Sequence, residues 1–162
     1  MLIKRILRLK WKQVFSLLGL IFKQPQYALP TLRATSVCMS ICNREYGSIE
    51  HHLNNASNAV RHALWNLLII RKSLLWNRNE NKALKWAKTM TEWHEKFSVN
   101  DPLDQEMDLH NNKIGRNLFL ETRELSEKEI VTILQEKAKD ARKIFKLKES
   151  EKYPINLVYI SD

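Results

Sequence analysis

Three separated stretches of the chain put imidazole, carboxylate and amide side chains where a helix would otherwise be apolar. The first is NAVRHALWN, residues 58–66, in which Asn58, His62 and Asn66 fall at i, i+4 and i+8, one stripe of a helix, with Arg61 and Trp65 beside it. Ala59, Val60, Ala63, Leu64, Leu67, Leu68 and Ile70 fill the rest of that helix. A helix apolar nearly all round is buried, so its polar stripe is expected to face an internal cleft. The second stretch is the pair His94 and Glu95. Ala83, Ala87, Met90, His94 and Phe97 share one face, which predicts His94 turned toward the core, with Glu95 on its flank after Leu84 and Thr91. The third is EMDLHNNKIGRNLF, where Met107, Ile114 and Leu118 mark the buried face and Asp108, Asn111, Asn112 and Gly115 lie on or beside it. Glycine in a helix interior costs about 1 kcal/mol against alanine, so Gly115 implies close approach by another backbone or by a ligand.

Polar side chains in a packed interior cost roughly 1–3 kcal/mol each unless they are paired. Neutral imidazole and carboxylate oxygen are the usual ligands of zinc-like ions and the usual carriers of protons in catalysis. One reading of the three stretches is therefore a metal-assisted hydrolase attacking a phosphodiester or related ester. In it His62, Glu95 and Asp108 are the ligands of a divalent metal, zinc or manganese. His94 or Glu95 is the general base to a bound water, Asn111 or Asn112 orients, and Arg61 stabilises developing negative charge. The competing reading is a non-enzymatic interaction or adaptor module, in which the same groups form a buried structural network with Arg61 paired to Asp108 or Glu95. The specific hydrolase and nucleotide motifs are missing from the sequence: Glu95 is followed by Lys96, Phe97 and Ser98, so there is no H-E-x-x-H, and there is no Walker loop, G-x-S-x-G or C-x-x-C. His51 and His52 fall in a polar connector and are expected at the surface. Cys38 and Cys42, four apart in a helical stretch, have the spacing of neither a disulfide framework nor a zinc knuckle and are expected as reduced, buried thiols.

The elements that must position these groups are helices. With 44% hydrophobic and 28% charged residues and only three glycines and four prolines, the composition excludes a collagen-like or disordered chain. The expected fold class is all-α: a single domain over residues 1–162 with about six helices and a short extended C-terminal tail. A basic amphipathic helix occupies residues 1–23, a motif-bearing core residues 24–122, and a last helix and tail residues 123–162. Pro25 and Pro30 separate the first helix from a second over residues 31–46. A polar connector ends in N-cap candidates Ser57 or Asn58, and a third helix runs to residue 76. A fourth covers residues 80–97, a fifth starts with Asp101 as N-cap and Pro102 at N1 and runs to residue 122, and a sixth opens on the capping box Ser126 to Glu129 and runs to residue 147. The tail YPINLVYISD is β-branched but has no evident partner strand, which predicts an extended segment laid on the helices.

Charge is distributed unevenly. Lys4, Arg5, Arg8, Lys10, Lys12, Lys23, Arg33 and Arg44 all precede the first acid, Glu45, so residues 1–44 carry +8 of the formal +9. That asymmetry excludes a uniformly basic nucleic-acid binder, and no specific nucleic-acid signal is present. The basic residues up to Lys12 leave too few apolar ones for a transmembrane helix. A signal peptide would show this basic start and apolar run, but QPQYALPTLRAT offers no small-x-small cleavage site. The remaining reading is an amphipathic helix that packs on the domain or meets an anionic membrane surface or protein partner. Residues 14–22 are expected in the fold, with Lys4, Arg5, Arg8 and Lys12 exposed. The location that fits is cytoplasmic and membrane-peripheral, with secretion left open.

The order N-x-x-R-H-A-x-W, then H-E, then D-x-H-N-N-x-x-G-R, here residues 58–65, 94–95 and 108–116, resembles an uncharacterised bacterial all-α domain family met often in Bacteroidetes and in toxin-like contexts. The resemblance covers residues 24–122, and the three motifs together are fairly specific. The family has no assigned reaction, so the resemblance marks positions without naming a chemistry. It implies that the segment before Asn58 belongs to the domain, which counts against a signal peptide, and it makes a toxin-like effector a variant of the hydrolase reading.

Overall fold

Capping chemistry and apolar periodicity set most of the element boundaries. The computed structural model describes residues 11–98 and 101–161. Lys4, Arg5 and Arg8, expected at the surface, lie outside the described residues. Six helices follow one another among those described: α1 (Trp11–Lys23), α2 (Ala28–Glu50), α3 (Ala56–Leu74), α4 (Glu80–Phe97), α5 (Pro102–Glu121) and α6 (Glu127–Lys139). A 3-10 turn, Pro25–Tyr27, joins α1 to α2. The only sheet among the described residues is a parallel pair, β1 (Arg142–Lys143) with β2 (Val158–Tyr159). The all-α expectation is met.

The all-round apolar sequence of α3 has its physical counterpart in a central position: α2, α4, α5 and α6 all pack against it. Twelve of its residues are buried, including Leu64, Leu67, Leu68, Ile69 and Ile70. Its cap is Asn55 rather than Ser57 or Asn58, because the Asn55 side chain accepts the Asn58 N–H at 3.2 Å while Ser57 Oγ supports it at 2.7 Å. Helix α2 is longer than the 31–46 expected. Pro30 sits in its first turn, where a missing N–H costs nothing, and the chain resumes a helical turn beyond Gly47, which breaks the helix with φ +79°. Helix α4 has the expected span, and α5 starts at Pro102 as expected.

Two expectations about the C-terminal region fail together. Helix α6 opens on the Ser126 and Glu129 capping box but stops at Lys139, short of residue 147. The chain beyond it pairs with the tail: Arg142 N–H donates to Leu157 O and Ile144 N–H to Tyr159 O, each at 2.9 Å. Burial drives this exchange, since Ile144 and Val158 close with Met107 into a small apolar cluster. The tail therefore does have a partner strand.

The expected burial of residues 14–22 holds on one side only. Leu17 and Leu20 pack on the core, yet no residue of α1 is fully buried, and Phe15, Leu18 and Phe22 face out. Lys12 is exposed as expected. Among the described residues, no helix is long and apolar enough to cross a membrane.

Candidate metal centre

Each of the three central helices brings one polar row to a common point. On α3, Asn58, His62 and Asn66 are all buried. On α4 the inward row is Ala83, Ala87, Thr91 and Glu95, at steps of four. Glu95 is therefore the enclosed member of its pair, 1% exposed, and His94 is only half-buried. The sequence pattern predicted the reverse. It misled because Thr91 looks polar, but its hydroxyl is satisfied within the helix by donating to Ala87 O at 2.9 Å, so the residue can face inward. His94 lies edge-on to Trp65, with ring centroids 5.1 Å apart. On α5, Asp108 and Asn112 are one turn apart and both buried.

His62 Nε2 is 3.2 Å from Asp108 Oδ1, and His62 Nδ1 is 3.5 Å from Glu95 Oε1. One ligand atom from each of the three residues lies within 4.8 Å of the others, so this set has the donor types and convergence to hold a cation. Asn112 Nδ2 donates to Glu95 Oε1 at 3.2 Å, while Glu95 Oε2 is buried without a hydrogen-bond partner among the described residues. Asn112 is fixed in turn by Asn66 Nδ2, which donates to its Oδ1 at 2.6 Å, and Asn66 Oδ1 accepts from Arg116 at 3.0 Å. Arg116 and Thr91 belong to this network although their roles were not legible in the sequence.

Protonation follows from what each neighbour can do. A guanidinium only donates, so Arg61 Nη2, 2.7 Å from His62 Nε2, requires a neutral imidazole with its lone pair on that nitrogen. Burial, with the Arg61 charge beside it, pushes His62 down to about 4. Nε2 then has no proton for Asp108, so a carboxylate there faces a nitrogen with nothing to donate, and the Asp108 carboxyl hydrogen-bonds to Glu95 instead. Burial pushes Asp108 up to about 6, against the pull of His62 and Arg61 and helped by the Glu95 charge. Burial also raises Glu95. Two enclosed carboxyl groups and a neutral imidazole thus converge where a positive charge would favour the ionised carboxylates.

The remaining candidates divide between the centre and its surroundings. Arg61 does not take up the pairing with Asp108 or Glu95 that a structural network would use; its Nη2 contacts His62 and, at 3.2 Å, Asn58 Oδ1. Arg61, His62, Trp65, His94, Thr35 and Cys38 line a cleft with about 50 Å³ of free space, enough for water or a small polar group. Asn111 lies away from it: its Nδ2 donates to Val158 O at 2.8 Å and its Oδ1 accepts Val158 N–H at 2.9 Å, anchoring β2. Gly115 answers to a backbone, since a Cβ there would come within 2.1 Å of Ala63 O. His51, expected at the surface, is fully buried, its Nε2 2.7 Å from Asn43 Oδ1; the long α2 carries Asn43 to meet it. Cys38 and Cys42 are free and buried, as expected.

No curated protein matches the chain. The stretch that does match a family includes α2 to α6, the helices on which all of the converging side chains stand: over residues 18–142 the chain belongs to the family described as Domain of unknown function (DUF6973).

Proposed function

We propose that the protein is a divalent-metal-dependent hydrolase acting on a phosphodiester or related ester. The observation that carries this reading is the convergence of His62, Glu95 and Asp108, one from each of three helices, within 4.8 Å beside a cleft that His62 also lines. The nitrogen and oxygen donors suit zinc or manganese, and three protein ligands leave a position for water. An ion held there would favour the ionised form of the two carboxyls, which burial disfavours. With Glu95 engaged as a ligand, the base role falls to His94, which lines the same cleft. Arg61 meets the negative charge that develops on the substrate, and Asn112 holds Glu95 in place.

Elemental analysis, chelator titration and thermal shift with zinc and manganese test the metal, followed by hydrolysis of a generic phosphodiester such as bis(p-nitrophenyl) phosphate. Neither bound nor restorable metal, together with no thermal shift, would sink the reading. Expression toxicity that Glu95→Gln abolishes would extend it to a toxin-like effector.

A second reading has its own support. The hydrogen bonds from Arg116 through Asn66 and Asn112 to Glu95 tie α3, α4 and α5 together, as a structural network in an interaction module would. On that reading His62→Ala costs about 1–3 kcal/mol of stability, the usual loss on breaking a buried polar network. Intact stability together with a lost cellular phenotype would reject it.

A further inference from the structure

Helix α1 is apolar on two opposite sides. Leu17 and Leu20 face the core, and the helix is tied down by Trp93 Nε1 donating to Ser16 Oγ at 3.1 Å and Gln13 Nε2 donating to Phe97 O at 3.0 Å. On the far side Trp11, Phe15, Leu18 and Phe22 succeed one another at i, i+4, i+7 and i+11, exposed by 79, 67, 41 and 80%. Single exposed apolar residues are ordinary; a continuous line containing three aromatics is an interaction surface. Lys12 and Lys23, both exposed, fall together on one flank of that line, and no acidic residue occurs in residues 1–44.

We propose that this face of α1 docks on an anionic lipid bilayer. The helix lies in the interfacial plane, with the aromatic line at the boundary of headgroups and acyl chains and the lysines among the headgroups. Charge selects the occupant. A second copy of the chain would set one +8 segment against another, whereas an anionic surface complements it. None of the metal-centre residues stands on α1, so the surface and the proposed chemistry stand or fall separately.

The test is co-sedimentation of the full chain with vesicles of phosphatidylcholine alone or with about one third phosphatidylserine, at low and high salt. Binding to the anionic vesicles is expected to exceed binding to the neutral ones by tenfold or more and to fall at least tenfold when salt is raised. The triple variant Trp11→Ser, Phe15→Ser, Phe22→Ser is expected to lose binding while keeping the wild-type melting temperature, because these side chains face outward; the single variant Phe22→Asp gives the same readout with less perturbation. Equal binding to neutral vesicles overturns the proposal, as does undiminished binding by both variants, which would assign the contact to residues 1–10. A vesicle-free dimer that the triple variant dissolves overturns it in favour of self-association.

Discussion

His62 and Asp108 face each other with their ordinary proton affinities reversed, the imidazole pushed down to about 4 and the carboxyl pushed up to about 6. Taken alone, His62 binds fewer protons folded than unfolded, so its contribution to stability rises with pH from about 4 to the ordinary histidine value of 6.5. Asp108 binds more protons folded, so its contribution falls between 3.8 and about 6. The two slopes oppose: across this window the unfolded pair is imidazolium with carboxylate, the folded pair imidazole with carboxylic acid, and each holds one proton. Glu95 has no counterpart that cancels it. Burial raises its carboxyl, so stability is lost as pH rises through its folded value. Glu95→Gln is therefore expected to melt higher than the wild type at pH 7.5 without metal, with the difference shrinking at pH 5. Under the proposed metal-binding function it should also lose metal-dependent stabilisation, which for the wild type would reach about 2.7 kcal/mol at a metal concentration a hundredfold above Kd. Melting curves at both pH values with and without zinc or manganese check this; an undiminished metal response in the variant would remove Glu95 from the ligand set.

The crossing of α3 and α5 is the contact on which the centre depends, because it brings His62 and Asp108 together. Gly115 permits it. A methyl group at that position meets the Ala63 carbonyl at 2.1 Å, a backbone atom with no rotamer to escape into. Gly115→Ala is expected to cost about 3 kcal/mol, the upper end for overpacking, and to weaken metal binding by spreading the helices next to His62. Urea denaturation and metal titration of the variant measure both; a change below about 0.5 kcal/mol would mean the helices separate freely. This need for a glycine was legible in the sequence, and the polar stripe of α3 equally so. The orientation of α4 was not, because periodicity ranks Thr91 as polar and cannot show that its hydroxyl is satisfied by its own helix.

At the scale of the whole molecule the C-terminal segment completes the core. Ile144, Leu157 and Val158 are fully enclosed, and Asn111 pairs both of its amide groups with Val158. Leu157 and Val158 lie beyond residue 142, where the family match ends, so this chain covers Met107 with residues outside the matched region. Deleting residues 141–162 is expected to cost roughly 5 kcal/mol, at about 1.5–3 kcal/mol for each large apolar side chain removed from the interior, read as a lower urea midpoint. An unchanged midpoint would show that the segment only lies against a core already closed.

The sequence by itself determined the helices, most of their starts and the choice of polar rows, because capping and periodicity are local: Asn, Ser or Pro at a helix start acts on the next three or four residues, and a row of side chains at steps of four follows from the helical repeat. The centre of the fold was equally readable from the all-round apolar sequence of α3. The tertiary structure alone decided which member of His94 and Glu95 turns inward, that Asn111 serves β2 while Asn112 serves Glu95, that His51 is buried, and that α6 yields residues 142–143 to a strand pair. Each of these depends on a partner in another element or beyond a helix break: Asn112 beside Glu95, Val158 beside Asn111, Asn43 beside His51, Tyr159 beside Ile144. Burial chooses among locally equivalent conformations only when such partners have met.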